Sequence, residues 1–328
     1  LYQYVCTPHI PMGMIGEFTV INGSNTQTYV PDDNFENYLE SNGMGNGIID
    51  DYVNTTSIDT LTYLNVTGQN IYDLTGIEAF TALTYLECKY SYLSGLLDLS
   101  NNTDLIELHI EDNNISSLDL SANTSLEKLV CCLNSNLYSL DISNNTALTY
   151  LACEYIGITN LDLSNNTSLT YLDCNDNNLT SLDVSANTLL EELHCGQNQL
   201  TSLDVSNNPQ LEELNCFHNQ LISLDVSTNI LLEELECGNN QLTNLDLRNG
   251  NNSNFAWVDF TNNSNLTCID VDDVTWSTAN WTVVNGNIDS QHYFSTNCSG
   301  TTDIQEQSTN KELLKITDIL GREKKGKK

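Results

Sequence analysis

A block of about 21 residues recurs along most of the chain, and it limits the possible folds more than any other feature. Residues 200–220 read LTSLDVSNNPQLEELNCFHNQ, the 21 residues before them LTSLDVSANTLLEELHCGQNQ, and the 21 after them LISLDVSTNILLEELECGNNQ. Aligned on the pattern L-x-x-L-x-C, ten such frames begin between Leu61 and Phe255, 21 to 23 residues apart. A steady period of this length predicts a solenoid, in which each coil packs only on its two neighbours.

Each repeat divides into two similar halves, such as LTSLDVSNN and LEELNCFHN. Because alternate residues of a strand point to opposite sides, the leucines of each half face inward and the residues between them face outward. We therefore predict two short strands per coil, one on each side of a stack of about ten coils. At about 4.8 Å per strand spacing, the stack extends about 48 Å.

The half-repeat LEELNCFHNQL, residues 211–221, resembles the L-x-x-L-x-L-x-x-N-x-L motif of leucine-rich repeat proteins, in the 21 to 22 residue form of internalins and related bacterial surface proteins. Residues 30–270 carry the resemblance. It implies a β-rich leucine-rich repeat solenoid of parallel strands, with a short helical N-terminal cap and a β C-terminal cap. It also implies a concave face that carries the cysteine-bearing strand, although LTSLDVSNN fits the motif nearly as well.

The repeat boundaries divide the chain into six predicted segments. These are an unassigned segment 1–29, an N-terminal cap 30–60, the solenoid 61–265, a C-terminal cap 266–298, a linker 299–310, and a C-terminal segment 311–328.

One inward position holds cysteine in seven coils and isoleucine in another. Because isoleucine can replace it, the position requires an apolar core residue. Stacked thiols also point in parallel along a line, whereas zinc needs ligands that converge on a point. We predict buried free thiols rather than a metal site or disulfides at Cys88, Cys131, Cys153, Cys174, Cys195, Cys216 and Cys237, with Ile110 in the same column.

Two columns of asparagine follow the two strands, where the chain leaves each of them. An inward carboxamide there can bond backbone groups of its own and the next coil. Ile156 replaces asparagine in one coil, so we expect a local irregularity. The columns are Asn113, Asn134, Asn177, Asn198, Asn219 and Asn240, and Asn102, Asn123, Asn145, Asn166, Asn187, Asn208 and Asn229.

A column of aspartates occupies the outward position of the second half-repeat: Asp98, Asp119, Asp141, Asp162, Asp183, Asp204, Asp225 and Asp246. Neighbouring carboxylates about 4.8 Å apart repel by about 0.9 kcal/mol even at the dielectric constant of water. Hydrogen bonds from nearby serines and backbone amides are the favoured explanation. The alternative is calcium, a cation that prefers oxygen ligands, held along the column Asp162, Asp183, Asp204 and Asp225.

Both ends of the solenoid need a cover. At the front, Pro31 and Asp32 start a predicted amphipathic helix that Gly43 ends. At the back, Cys268 and Cys298 lie outside the repeat and bracket a segment predicted to be β-rich; we pair them in a disulfide, which implies an oxidising compartment.

The segment from Leu313 to Arg322 resembles the opening strands of the C-terminal sorting domain of type IX secretion substrates, and it covers only the start of that domain. The resemblance implies export to the outside or the outer surface of a Gram-negative bacterium.

Charge excludes two classes of partner. The first 310 residues hold 41 acidic and 3 basic residues, a balance of −38. Such a body repels nucleic acids and anionic lipids, so we expect neither nucleic-acid binding nor membrane insertion. We also expect no enzyme activity, because no nucleophile, phosphate-binding loop or acid–base pair stands out.

The outward positions of the cysteine strand differ most between repeats, and we predict that they bind a ligand. The predicted site residues are Tyr85, Tyr150, Glu154, Tyr171, Asp173, Glu192, His194, Glu213 and Phe217. Aromatic and polar side chains together suit recognition of a protein or a glycan. We predict a monomeric secreted or surface-displayed adhesin with no cofactor; the alternative is a ligand-free spacer rod, stiffened by calcium.

Overall fold

The computed structural model describes residues 2–4, 16–18 and 26–298. The α-helices are α1 Asp33–Ser41, α2 Thr55–Ile58 and α3 Val274–Asn280, and short 3₁₀ helices span Ile77–Ala79 and Asn252–Asn254. The strands are β1 Tyr2–Tyr4, β2 Gly16–Phe18, β3 Gln27–Tyr29, β4 Tyr52–Asn54, β5 Tyr63–Asn65, β6 Tyr85–Glu87, β7 Ser94–Asp98, β8 Glu107–His109, β9 Asn114–Asp119, β10 Lys128–Val130, β11 Tyr150–Ala152, β12 Tyr171–Asp173, β13 Glu192–His194, β14 Glu213–Asn215, β15 Ser223–Asp225, β16 Glu234–Glu236, β17 Asn244–Asp246, β18 Trp257–Asp259, β19 Cys268–Asp270 and β20 Tyr293–Ser295.

One parallel sheet of ten strands runs along the solenoid, in the order β5, β6, β8, β10, β11, β12, β13, β14, β16, β18. Each strand pairs with the next at the same repeat position, so that Leu172 lies between Leu151 and Leu193. The predicted leucine-rich repeat solenoid of parallel strands is therefore confirmed. We call the outward side of these ten strands the ten-strand face.

The opposite side of the solenoid is less regular. Strands β7 and β9 pair there near the front, and β15, β17, β19 and β20 form a sheet near the back. Between them, the described coils run without a strand ladder on this side. The prediction of two strands in every coil was wrong for these middle coils. Asparagine side chains tie those coils together: Nδ2 of Asn187 donates to the carbonyl oxygens of Leu163 and Asn166.

The cysteine column lies in the core. All seven cysteines and Ile110 are fully buried, stacked beside the leucines of the same strands. Their thiols are free. The column therefore serves as part of one continuous apolar core along the solenoid.

The two asparagine columns bond the backbone in different ways. In the column that follows the ten strands, Asn198 accepts a hydrogen bond from the amide of Leu179 and donates to the carbonyl oxygens of Cys174 and Cys195. In the other column, Nδ2 donates to two carbonyl oxygens, and Oδ1 is buried without a hydrogen-bond partner. Both columns thus join consecutive coils, but only the first satisfies a buried amide.

The expected irregularity occurs beside Ile156. In the neighbouring coils, the asparagine oxygen accepts the backbone amide of the preceding coil, as Asn134 does for Ile115. Ile156 has no such oxygen. The amide of Leu137 donates instead to the carbonyl oxygen of Asn134, 2.9 Å away, in its own turn.

In each repeat, the residue two positions after the cysteine column adopts a left-handed backbone. Asparagine, which tolerates this conformation best among residues with a side chain, occupies the position at Asn239 and Asn262, and glycine occupies it at Gly68. Leu133 occupies it with φ +58° and an exposed side chain. In this conformation the Cβ of a leucine lies too close to the following carbonyl oxygen, and the contact lowers the stability of the folded state.

We expect Leu133→Asn to raise the free energy of unfolding by about 1 kcal/mol, because asparagine relieves the left-handed strain and little buried area is lost. Urea denaturation of the two proteins measures the difference. Leu189→Asn is the matched control, since Leu189 is similarly exposed but has no positive φ. Equal changes in the two variants would contradict the strain argument.

Both ends of the solenoid are covered. In α1, Asp32 caps the first turn by accepting the amides of Asn34 and Phe35, while Phe35 and Leu39 are buried against the first coil. The predicted N-terminal helix is confirmed.

The C-terminal cap contains strands β19 and β20, but the segment between them forms α3 where the sequence predicted β structure. The reason is local, because Asp273 caps a helical turn by accepting the amides of Thr275 and Trp276. Trp281 follows the helix and packs edge-on against Phe255 and Phe260 of the last repeat. Cys268 and Cys298 join in a disulfide across the cap.

Candidate functional site

Parallel register arranges the ten-strand face in rows. Residues that are 21 to 23 positions apart in sequence stand side by side on neighbouring strands. The first row is Tyr63, Tyr85, Glu107, Lys128, Tyr150, Tyr171, Glu192, Glu213, Glu234 and Trp257. The second row is Asn65, Glu87, His109, Val130, Ala152, Asp173, His194, Asn215, Glu236 and Asp259.

A continuous stack of side chains crosses four coils in the middle of the face. The ammonium of Lys128 lies 4.3 Å from the ring centroid of Tyr150. The rings of Tyr150 and Tyr171 are parallel, with centroids 4.0 Å apart. The ring of His194 is tilted by 40° against that of Tyr171, with centroids 5.6 Å apart. Each tyrosine therefore has both ring faces covered, and it offers solvent its edge and hydroxyl group.

The stack lies over a small apolar cluster on the same face. Val130, Cys132 and Ala152 are buried there, with Tyr150 and Tyr171 packed against them. Although both tyrosines occupy outward positions, whose side chains we expected to be exposed, they are half-buried. Contact with the cluster and with each other removes much of their surface from water.

Glu154 and Phe217 each lie two residues beyond the second row, after Ala152 and Asn215, and so stand beside the stack. The ring of Phe217 lies so close over Gly196 that a Cβ there would stand 2.4 Å from the ring. Phe217 is thus half-buried too, against the glycine rather than against the tyrosines.

Acidic groups around the stack are held in an environment that disfavours their charge. Burial is the main cause that raises the pKa of Glu154, Asp173 and Glu213 above the ordinary carboxyl range. Neighbouring carboxylates raise the pKa of Glu213 further, while His194 opposes the effect. Nε2 of His194 lies 3.7 Å from Glu192 and 3.6 Å from Glu213. This part of the face is therefore suited to a cationic group.

A second cluster of the same type lies four coils away, near the front of the solenoid. The rings of Tyr63 and Tyr85 stack with centroids 4.6 Å apart, and the centroid of the His109 ring lies 5.4 Å from that of Tyr85. This cluster contains its own cation, because the ammonium of Lys89 lies 3.5 Å from Glu87 and 2.9 Å from Glu111. We call it the front cluster, and the one at Tyr150 to His194 the middle cluster.

The structure brings six of the nine predicted site residues into the middle cluster: Tyr150, Tyr171, Asp173, Glu192, His194 and Glu213. Tyr85 belongs to the front cluster, where its hydroxyl donates to Glu87. Sequence reasoning missed the front cluster as a unit, including Tyr63 and Lys89. The signal was present, because the order tyrosine, tyrosine, histidine recurs four repeats apart in the aligned rows.

The aspartate column on the opposite side uses its carboxylates internally. Oδ1 of each aspartate accepts the backbone amide two residues further along the chain, at 2.9 to 3.1 Å. At Asp162 and Asp183, hydrogen bonds from the serine side chain and then its amide lower the pKa of the carboxyl. These bonds agree with the favoured explanation of the column, and calcium binding there stays a prediction.

Among the described residues, no helix combines the length and the apolar character that crossing a membrane requires.

Comparison with known proteins identifies the fold. No family model and no curated protein matches the sequence. Among solved structures, the functional domain of InlJ from Listeria monocytogenes, which includes a cysteine ladder, is 34% identical with a TM-score of 0.63. The match covers 76% of this chain and 58% of the InlJ chain, so the chain spans less than two thirds of that protein's length.

More distant structures share the architecture. An internalin, InlF of Listeria monocytogenes, is 22% identical with a TM-score of 0.56, over 81% of this chain and 91% of that one. The Arabidopsis receptor kinase HAESA, solved with the peptide hormone IDA and the co-receptor SERK1, is 21% identical with a TM-score of 0.55, over 66% and 43%. The chain thus has a leucine-rich repeat fold, and its solved neighbours include Listeria internalins.

Proposed function

We propose that this protein is a secreted or surface-displayed recognition module that binds a protein partner through the middle cluster of the ten-strand face. Leucine-rich repeat neighbours such as HAESA are seen with bound polypeptides, which supports a protein-interaction role for the fold. The observation that carries the proposal is the middle cluster itself. It combines a half-buried aromatic stack with carboxyl groups whose pKa is raised by burial.

The geometry favours a protein partner over a glycan. A sugar ring stacks on an open aromatic face, but Lys128 and His194 cover the outer faces of Tyr150 and Tyr171. Tyrosine edges and hydroxyl groups over an apolar base suit the mixed contacts at the centre of protein interfaces. The partner presents lysine or arginine side chains, because among the described residues no ammonium or guanidinium pairs with Asp173 or Glu213 as Lys89 pairs with Glu87 and Glu111 in the front cluster.

Export belongs to the same proposal. The resemblance of residues 313–322 to a type IX sorting domain supports delivery outside the cell of a Gram-negative bacterium, where an adhesin would meet its partner. These residues lie outside the part of the chain that the structure describes.

The test is a screen of the protein against arrays of host proteins and glycans, repeated with the double variant Tyr150→Ser/Tyr171→Ser. We expect a protein hit whose affinity falls at least about tenfold in the variant, as for residues central to an interface. The affinity should also fall as salt is added, because the proposed contacts include charge pairs.

The matched control is Tyr72→Ser/Tyr92→Ser. These rings are also stacked, at 5.0 Å, but they are exposed and lie outside the ten strands. An equal loss in both double variants, or none in either, would contradict the proposed face. If neither array gives a hit and millimolar calcium but not magnesium raises the melting temperature, the spacer rod with calcium on the aspartate column is the better explanation.

A further inference from the structure

Two neighbouring strands of the ten-strand face bring a histidine and two glutamates together. Glu192 and His194 lie on β13, and Glu213 lies on β14 directly beside Glu192. One ligand atom of each residue lies within 4.8 Å of the others. The imidazole of His194 is largely covered, with 16% of its side chain exposed, while both glutamates are more open.

The distances leave a gap at the centre of this group. Nε2 of His194 is 3.7 Å from Oε2 of Glu192 and 3.6 Å from Oε1 of Glu213. Both separations are longer than a hydrogen bond. They are close to the roughly 3.3 Å between two ligands of a tetrahedral zinc ion with bonds of about 2.0 to 2.1 Å.

The equivalent position in the front part of the solenoid has a different third residue. Glu107 and His109 stand in the same rows four coils earlier. Nε2 of His109 lies 3.4 Å from Oε2 of Glu107. The neighbour of Glu107 on the next strand is Lys128, in the place that Glu213 takes beside Glu192. We call the position beside the glutamate on the next strand the third corner. An ammonium, that of Lys128, occupies it at the front, and a carboxylate, that of Glu213, occupies it in the middle.

We propose that Glu192, His194 and Glu213 form a zinc-binding site on the ten-strand face. Zinc accepts one imidazole nitrogen and two carboxylate oxygens readily, and a fourth tetrahedral position remains open toward solvent. The ion also offsets the repulsion between Glu192 and Glu213, which are adjacent in register. This site departs from the sequence analysis, which assigned no metal to these residues. It does not depend on the proposed protein partner.

The first experiment titrates the full chain, stripped of metal, with Zn²⁺ alone in a calorimeter. We expect one ion per chain and a shift of the imidazole NMR signals of His194. Glu213→Lys should weaken this binding at least tenfold. That variant is expected to fold, because the chain already holds Lys128 at the matching position. Absence of zinc binding at millimolar Zn²⁺ would overturn the proposal, and so would binding that Glu213→Lys leaves unchanged.

A gain of binding tests the role of the third corner. Lys128→Glu places a carboxylate beside Glu107 and His109, and we expect the stoichiometry to rise to two zinc ions per chain. A stoichiometry that stays at one would overturn the claim that the third corner decides binding. Glu36 belongs to an all-carboxylate group near the N-terminal cap, with Asp33 and Asp51, that could also take a metal ion. Zinc bound there would survive Glu213→Lys and would count against the proposal.

Discussion

Replacing Asn198 with alanine is expected to lower the free energy of unfolding by about 3 kcal/mol, close to the upper range for the loss of a buried hydrogen-bonding group. The Oδ1 atom of Asn198 accepts the amide of Leu179 at 2.9 Å. Without that oxygen the amide is buried with no acceptor. The carbonyl oxygen of Cys174 also loses a donor, although Asn177 still donates to it.

Asn187→Ala in the other asparagine column is the matched control, with an expected loss of about 1 kcal/mol. Asn187 donates to the carbonyl oxygens of Leu163 and Asn166, and each of these still accepts a backbone amide. Its own Oδ1 is already buried without a partner, so the substitution leaves no amide unpaired. Urea denaturation with unchanged m-values, together with hydrogen exchange at the amide of Leu179, measures both variants. Equal losses would contradict this account of the two columns.

The buried thiols are expected to react with iodoacetamide at least about a thousandfold more slowly in the native protein than in urea. Burial raises the pKa of Cys88 and of Cys132 to about 12, and it raises the pKa of Cys131, Cys153, Cys174, Cys195 and Cys216 well above the ordinary thiol range. Only the thiolate reacts, so both the small ionised fraction and the covered position of each sulfur slow the reaction. Mass spectrometry after timed labelling counts the modified residues.

Cys132 provides an internal comparison for this experiment. It lies in the apolar cluster on the ten-strand face, under the Tyr150 and Tyr171 stack, whereas Cys131 points into the core. Tyr150→Ser/Tyr171→Ser should therefore speed the labelling of Cys132 and leave Cys131 unchanged. Rapid labelling of the core column in the native protein would contradict the inward orientation of the cysteines.

Much of the fold could be predicted because the same pattern of inward apolar residues recurs in ten repeats. A single L-x-x-L-x-C segment fits several structures, but ten in register require a common inward side. The caps were harder to predict, since each occurs once. Asp273 could have been recognised as a helix cap, but the surrounding β-branched and aromatic residues favoured strands.

The candidate site was predictable as a list of residues and not as an arrangement. Outward positions follow from alternation along the strand, so Tyr150, Tyr171 and His194 could be assigned to one face. Whether the outer ring faces were open depended on Lys128 and His194, which lie on neighbouring strands. The register that places Glu213 directly beside Glu192, next to His194, likewise comes from the pairing of neighbouring strands.

The sequence by itself determined the direction of each repeated side chain, because a constant period makes every coil bury the same positions. Only the tertiary structure decided which outward side chains meet. Residues 21 to 23 positions apart become neighbours through the pairing of parallel strands, and their contacts depend on side-chain packing between coils. That packing covers the tyrosine rings, pairs Lys89 with two glutamates, and places His194 between two carboxylates.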